Sequence, residues 1–365
     1  MRCFACQRCG GVVPFAAQHC STCGSPLGYL SSLRRVRTLT AAPDPTTFTV
    51  DDHDGLLWRC LNSAWGCNWM LDAGTGNTWC RSCRLTRGRP DEGRRDAIEA
   101  WMTAEAAKRR LIYQLDSLGL PVDVRSSSAP DGLAFDLVHL PGEGGITGHL
   151  EGVVTLDLAE TDAHHRDDLR RRLNEPLRSV IGHLRHEIGH YYWDRLVRQT
   201  EHLDRFRELF GDERLDYRAA IEAHYSTVRA GWDAEQYVTG YAGSHPLEDW
   251  AETFAHYLHI LDATETAAAH DLVPRTSVGA GGFVHEAASA LDFDEILDLW
   301  RPVSAAANAI AESVGATPVY PFEPRGTVIG KLDFVHQRVI APQRRANPDD
   351  GSAIVITPTT PRNGG

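Results

Sequence analysis

Apolar residues recur every three or four positions along much of this chain, which is the spacing of one buried face of a helix. The pattern is clear over residues 94–118, where Gly119-Leu120-Pro121 ends it, and again from Pro176 to about Val197. Further helices are predicted near residues 202–210, 214–230, 246–262 and 284–316, the last interrupted at Pro302.

Two other segments, residues 133–140 and 153–158, alternate apolar and polar side chains in the manner of β-strands. The glycine-rich residues 142–148 between them predict a hairpin connection. His164 and His165 fall in a charged segment that is typical of a solvated loop. The tail after Ala341 is rich in Pro, Asn, Gly and Thr, so we expect it to be disordered.

All nine cysteines lie within the first 83 residues. Two C-x-x-C-G knuckles come first, in which glycine lets backbone N–H groups turn toward the thiolates; they contain Cys6, Cys9, Cys20 and Cys23. A second set consists of Cys60, Cys67, Cys80 and Cys83. Four thiolates fill a tetrahedral zinc shell, so we predict two closed structural zinc sites. Cys3 is left over, and a Cys3-x-x-Cys6 frame is the competing pairing.

The length of 365 residues suggests about two domains, and a hydrophobic content of 42% is enough for a core. No apolar run approaches the roughly 20 residues that span a bilayer, and the N-terminus has no signal-like apolar stretch. We therefore expect a cytoplasmic protein without a membrane segment. The net charge of −12 hides a basic excess before residue 110, but two four-thiolate zinc sites would each add about −2 there. The charge therefore does not favour nucleic acid as a partner.

His186, Glu187 and His190 form an H-E-x-x-H pattern within the predicted helix. Residues four apart share a helix face, so the two imidazoles can bind one metal ion. Glu187 lies close enough to reach a water on that metal without ligating it. Zinc peptidases use this arrangement, in which the carboxylate takes the proton of the metal-activated water. His183, one turn earlier, is interpreted as a residue of the rim.

A third metal ligand is needed to complete such a site. The metzincin continuation is excluded, because its glycine and histidine positions are Trp193 and Leu196 here. In residues 244–257, Glu248 and Glu252 are again four apart on one predicted helix face. We assign Glu248 as the ligand and Glu252 as the acceptor of a ligand histidine's N–H, with the reverse assignment left open.

His256 and His259 are competing ligands on the same helix, although a histidine in an apolar helix is more often a hydrogen-bonded core residue. A donor for the developing oxyanion is also expected. Tyr241, on a glycine-flanked loop seven residues before the proposed ligand, is the first choice. Tyr237 and His245 are the alternatives.

These residues resemble a known group. The two cysteine sets and the segments 106–111, 185–193 and 246–257 are similar to the bacterial zinc-binding metallopeptidases with an N-terminal zinc-ribbon domain. The E-x-x-A-E arrangement with its preceding tyrosine is similar to lethal-factor-type gluzincins, which implies that Glu248 ligates zinc and Tyr241 assists catalysis. The expected fold is α+β, with zinc-ribbon modules in residues 1–90 and a mostly helical zincin-like domain with a small antiparallel sheet in residues 91–340. Residues 341–365 form the tail.

The sequence thus predicts a zinc peptidase with one catalytic and two structural zinc ions, acting on a peptide or protein. Residues 153–158 could pair with an extended substrate by β-augmentation. One alternative is an interaction protein whose zinc ribbons grip a protein partner and whose peptidase-like domain is inactive. Another is a protease that the ribbons recruit to a nucleoprotein.

Overall fold

The computed structural model describes residues 4–90, 93–139, 148–173, 175–226, 231–270, 272 and 291–346. The chain divides into two compact units. The N-terminal unit comprises the described residues before 118 together with residues 121–199. The C-terminal unit comprises residues 118–120 and the described residues from 200 onward.

Short antiparallel strands build the cysteine-rich part of the N-terminal unit. Two hairpins come first, β1 (Phe4–Ala5) with β2 (Val12–Val13) and β3 (Leu27–Leu30) with β4 (Arg35–Thr38). A four-stranded sheet follows in chain order, made of β5 (Thr40–Ala41), β6 (Thr47–Val50), β7 (His53–Arg59) and β8 (Met70–Asp72). The buried cluster beneath these strands consists of Leu30, Leu39, Val50, Leu57 and Met70. This cluster is small, so cross-linking by metal has much to contribute here.

The helix α1 (Arg95–Ser117) confirms the first predicted helix. Its buried side holds an ion pair, in which Lys108 Nζ lies 2.7 Å from Glu105 Oε1. The hydroxyl of Thr86, three residues after the last cysteine, donates to the same carboxylate at 2.5 Å. Arg109 donates to the carbonyl of Gly66 at 3.2 Å. These bonds fasten α1 to the second cysteine segment.

A three-stranded sheet follows, in the order β10 (Gly148–Leu150), β11 (Val153–Asp157), β9 (Ala134–Val138). β11 runs antiparallel to β10 but parallel to β9, so the predicted hairpin between the two longer strands is wrong. The hairpin instead joins β10 to β11 through Glu151 and Gly152, whose φ angles of +48° and +82° suit a two-residue turn. Residues 142–147 of the predicted connection lie outside the described residues.

Two helices complete the N-terminal unit. α2 (Ala163–Leu173) contains His164 and His165, so the loop predicted there is wrong; the Asp162 carboxylate caps this helix. α3 (Val180–Leu196) begins at Ser179, whose hydroxyl accepts from the Gly182 N–H at 3.0 Å. Pro176 therefore precedes the helix rather than opening it.

The C-terminal unit is helical in its described part, and its long helix α6 (Pro246–Ala269) packs against three others. The helices in chain order are α4 (Leu203–Phe210), α5 (Tyr217–Ser226), α6, α7 (Phe293–Ser313) and α8 (Gly326–Ala346). Aromatic side chains fill the space between α4, α6 and α8, namely Phe206, Phe210, Trp250, Phe254 and Phe334. Within the described residues, cysteine modules followed by a mostly helical region with small sheets confirm the predicted α+β class.

Two predictions for this unit need correction. α7 continues through Pro302 instead of breaking there. α8 has no counterpart among the predicted helices, and it extends to Ala346, into the predicted tail; residues 347–365 lie outside the described residues. Lys331 of α8 forms a buried 2.6 Å ion pair with Asp249 of α6. Burial raises the pKa of Asp249 to about 7 in spite of that lysine.

Among the described helices, none combines the length and the apolar character that crossing a bilayer requires.

Candidate metal sites

The first cysteine set converges on one point in the N-terminal unit. The sulfurs of Cys6, Cys9, Cys20 and Cys23 all lie within 4.8 Å of one another. The Cys6–Cys23 and Cys9–Cys20 pairs are 3.7 and 3.6 Å apart. Sulfurs bound at about 2.3 Å to one tetrahedral zinc lie about 3.8 Å apart, so this set fits zinc. Gly10 and Gly24 have φ angles of +73° and +72°, as the knuckle pattern predicts.

The second set, Cys60, Cys67, Cys80 and Cys83, is fully buried. Cys67 lies 3.7 Å from Cys80 and 3.8 Å from Cys83, again the spacing around one zinc ion. The backbone N–H of Cys80 donates to the Cys60 sulfur at 3.3 Å, which stabilises a thiolate. Four sulfurs leave no open coordination position, so both sets suit structural rather than catalytic zinc. Cys3 lies outside the described residues.

The paired histidines lie on one face of α3. His186 Nε2 and His190 Nε2 are 3.2 Å apart, and the two rings stand edge to face. Nitrogens bound at about 2.0–2.1 Å to one tetrahedral zinc lie roughly 3.3–3.4 Å apart, so the pair fits two ligands of a single ion. Both imidazoles are partly exposed, whereas Glu187 between them is 7% exposed.

Neighbouring residues hold this face of α3 in place. Arg185 donates from Nε and a terminal nitrogen to Gln114 Oε1 of α1, at 3.1 and 2.8 Å. The hydroxyl of Tyr192 donates to the carbonyl of Pro121 at 2.9 Å. Both side chains are buried, so the helix that carries the histidines has a fixed rotation.

His149 of β10 is close to this helix, and no sequence pattern pointed to it. Its ring packs edge to face on Tyr191, and its Nε2 accepts from the Gly152 N–H at 3.0 Å. Burial, and next the electrostatic interaction with His190, lower the pKa of His149 to about 4. His149 is therefore a neutral imidazole at neutral pH, with its proton on Nδ1.

In the C-terminal unit, Glu248 and Glu252 lie one turn apart near the start of α6. Glu248 is 1% exposed, and its Oε1 accepts from the Tyr217 hydroxyl at 2.7 Å. Glu252 Oε2 accepts from the Thr239 hydroxyl at 2.7 Å. Tyr217 was absent from the predicted site residues, because 31 positions separate it from Glu248 and no motif links them.

The loop before α6 carries Tyr241 in the 3₁₀ turn Tyr241–Ser244. The Thr239 hydroxyl accepts from the Ala242 N–H at 3.1 Å while it donates to Glu252, so this loop is tied to the helix. Burial, and next the Glu248 carboxylate, raise the pKa of Tyr241 well above its usual range. Tyr241 therefore keeps its proton at any physiological pH and remains a donor.

The competing candidates have other contacts. His245 caps α6, since its Nδ1 accepts from the Leu247 N–H at 3.1 Å. His256 is buried with its Nδ1 2.6 Å from the Tyr320 hydroxyl, as expected of a core histidine. The ring centroid of His259 lies 5.8 Å from that of His256. Tyr237 packs its ring over the Lys331 ammonium at 4.6 Å.

Comparison with known proteins identifies the family of this chain. The family described as "Putative zinc-binding metallo-peptidase" matches residues 97–338, and a zinc-ribbon domain matches residues 3–94. Uncharacterized proteins of Mycobacterium bovis and Mycobacterium tuberculosis are 42% identical over 338 residues, or 92% of this chain and 94% of theirs. No solved structure matches the chain. Because the family match covers most of the chain and includes the helix with the paired histidines, we conclude that this protein belongs to that family.

Proposed function

We propose that this chain is a peptidase whose catalytic zinc ion is held by His186, His190 and Glu248. The 3.2 Å separation of the two imidazole nitrogens on α3 is the observation that carries the proposal. Two histidines and one carboxylate form a common catalytic zinc shell, which leaves a position for water or substrate. Glu248 is supported by its burial near the start of α6 and by the E-x-x-A-E pattern.

Each remaining residue has a role in the hydrolysis. When bound, zinc polarises the scissile carbonyl and acidifies a water molecule. The Glu187 carboxylate accepts the proton that this water loses and then delivers it to the departing amine, so the proton balance closes. Tyr241, kept protonated by its surroundings, donates to the developing oxyanion. The Glu252 carboxylate orients a ligand histidine while it holds the Thr239 loop.

The strand that accepts the substrate must be reassigned. β11 is hydrogen-bonded to β10 on one side and to β9 on the other, so the hypothesis that residues 153–158 pair with substrate is wrong. Among the described strands of this sheet, β10 and β9 are the outer ones. Phe135 of β9 already forms a parallel bridge with Thr86, so the edge of β10 is the better candidate. An extended peptide could add to that edge by antiparallel or parallel pairing.

The decisive experiment combines metal counting with cleavage profiling on the wild type and on Glu187→Gln. We expect three zinc ions per chain in both proteins, because Glu187 is not a ligand, with cleavage reduced at least about 100-fold in the variant. Glu99→Gln, which neutralises an exposed carboxylate on α1, is the matched control and should cleave normally.

Three outcomes would overturn the proposal. A wild-type chain that holds two zinc ions would leave the histidine site without its metal. Cleavage that survives Glu187→Gln at the wild-type rate would remove the general base. Three zinc ions without cleavage of any peptide would favour the interaction protein as the function.

A further inference from the structure

We infer that Tyr217 is the residue that orients Glu248 for metal binding. The inference rests on the proposed function, because it takes Glu248 to be the third ligand. It concerns contacts within the C-terminal unit, where Tyr217 is the first residue of α5. It assigns a positioning role to a side chain that neither the helix pattern nor the metal-ligand spacing identifies.

The contact itself is a short hydrogen bond to a buried carboxylate. The Tyr217 hydroxyl lies 2.7 Å from Glu248 Oε1, and Glu248 is 1% exposed. A bond to an ionised oxygen is charge-assisted and roughly twice as strong as one between neutral groups. It also restricts rotation of the carboxylate about its last carbon–carbon bond. Oε2 then becomes the oxygen that is turned away from the phenol and offered to a metal ion.

The phenol is held in turn by the cap of α6. Because His245 Nδ1 accepts from the Leu247 N–H, the proton of the neutral ring is on Nε2. That Nε2 lies 3.2 Å from the carbonyl of Leu215, to which it therefore donates. The His245 ring also packs edge to face on Tyr217 at 5.2 Å. One imidazole thus ties the start of α5 to the start of α6.

A further cap fixes the backbone at Tyr217. The Asp216 carboxylate accepts from the Ala219 N–H at 3.0 Å, which is the usual way to begin a helix. The tyrosine is 46% exposed, so burial of its ring does not explain its position. Its position is explained by the polar contacts of its hydroxyl and of the neighbouring residues. A preorganised donor loses little entropy when the metal binds, so its effect is on metal affinity.

Tyr217 and Tyr241 consequently have different tasks. Tyr241 is on the loop before α6 and would face the substrate oxygen, whereas Tyr217 acts through the ligand. Groups that hydrogen-bond to metal ligands typically contribute about 10–100-fold to metal affinity. Loss of the Tyr217 hydroxyl should therefore weaken zinc binding at one site of three.

The test is the Tyr217→Phe variant of the full chain, studied by competition with a chelator of known zinc affinity. We expect the weakest zinc site to lose about 10–100-fold in affinity, while the two four-cysteine sites keep theirs. Cobalt substituted for zinc should show an altered visible spectrum at the histidine site. The metal-free variant should keep the far-UV circular dichroism spectrum and the cooperative unfolding of the metal-free wild type, since the ring and its packing remain.

Two further variants make the result specific. Tyr257→Phe removes another hydroxyl of the same unit, one that lies 2.9 Å from His336 Nδ1, and should leave zinc affinity unchanged. His245→Asn keeps a capping side chain for α6 but cannot reach Leu215, so it should weaken zinc binding by an intermediate factor.

Failure of the positioning role can be distinguished from failure of the proposed function. If the wild type binds three zinc ions and Tyr217→Phe binds the third with unchanged affinity and spectrum, the positioning role is overturned and the proposed function stands. If the wild type binds two zinc ions, the proposed function fails and takes this inference with it. Equal weakening by Tyr257→Phe would show a general loss of stability and would also overturn the positioning role.

Discussion

Asp116, in the last turn of α1, shows how the fold changes the chemistry of a single residue. Its carboxylate lies 3.0 Å from the Arg81 guanidinium and is 15% exposed. Burial raises the pKa of Asp116 to about 6, although Arg81 and Arg34 oppose the shift. The ordinary value for an unfolded chain is close to 4. This group therefore binds its proton more tightly in the folded protein.

The raised pKa of Asp116 makes the stability of the folded protein depend on pH. Between about pH 4 and pH 6 the folded carboxyl keeps a proton that the unfolded one has lost, so its contribution to stability falls as the pH rises. Asp116→Asn should remove this slope, and the free energy of unfolding of the wild type relative to the variant should fall by about 2–3 kcal/mol across that window. Denaturant titrations of both proteins at pH 4, 5, 6 and 7 measure it. If the free energies of unfolding of the two proteins changed with pH in parallel, the prediction would be contradicted.

The cysteine sets and the histidine pair are the candidate ligands whose grouping in space the sequence predicted. Cysteines two residues apart and histidines four apart are fixed by local geometry, because a knuckle or a helical turn brings them together wherever the segment is placed. His149 and Tyr217 have no such local signature. Each meets its partners through packing between segments that are distant in the chain.

At the level of elements, periodicity predicted the long helices but not every boundary. α3 starts at Ser179 because a hydroxyl cap satisfies the first N–H groups, which outweighs the preference of Pro176 for a first turn. α8 was missed, although its buried Lys331 contributes to the core of the C-terminal unit. A charged residue in the buried stripe weakens the apolar pattern that helix prediction relies on.

The small sheet is the clearest correction among the elements. Strand alternation located β9 and β11 but could not give their direction, because parallel and antiparallel pairs have the same period. The turn at Glu151 and Gly152 creates the extra strand β10, which covers one edge of β11. β10 is therefore an outer strand of the described sheet, and β11 is an inner one.

Substrate pairing at β10 can be measured with peptides identified by cleavage profiling. Replacing one backbone N–H at a time by N-methyl should lower kcat/KM about 10-fold at alternate positions, because each lost ladder bond removes roughly 1 kcal/mol or more. Methylation at the intervening positions is the internal control. Uniform turnover of every methylated peptide would exclude strand pairing.

For the whole molecule, the two lysines provide one probe of local unfolding in each unit. The sequence contains no lysine besides Lys108 and Lys331, and both are at most 1% exposed. Lys108 pairs with Glu105 in the N-terminal unit and Lys331 with Asp249 in the C-terminal unit. Their reactivity therefore follows local opening of each unit separately.

Loss of the second zinc site should expose one lysine and not the other. Cys67→Ser removes a ligand from the module that is tied to α1 through Thr86, so acetylation of Lys108 should accelerate about 10-fold or more while that of Lys331 stays slow. Mass spectrometry after brief treatment with an acetylating reagent measures both. His186→Ala, which removes a proposed ligand of the histidine site, is the control. Equal acceleration at both lysines would show that the units unfold together.

The sequence by itself determined which candidate ligands come together: eight cysteines in two sets, and the histidine pair with its glutamate on one predicted helix. These depend on spacing along the chain, and backbone geometry translates spacing into proximity over a few residues. Only the tertiary structure decided that β11 is an inner strand, that both lysines are buried and that Tyr217 contacts Glu248. Such contacts depend on how separate elements pack, and no local pattern of side chains records that packing.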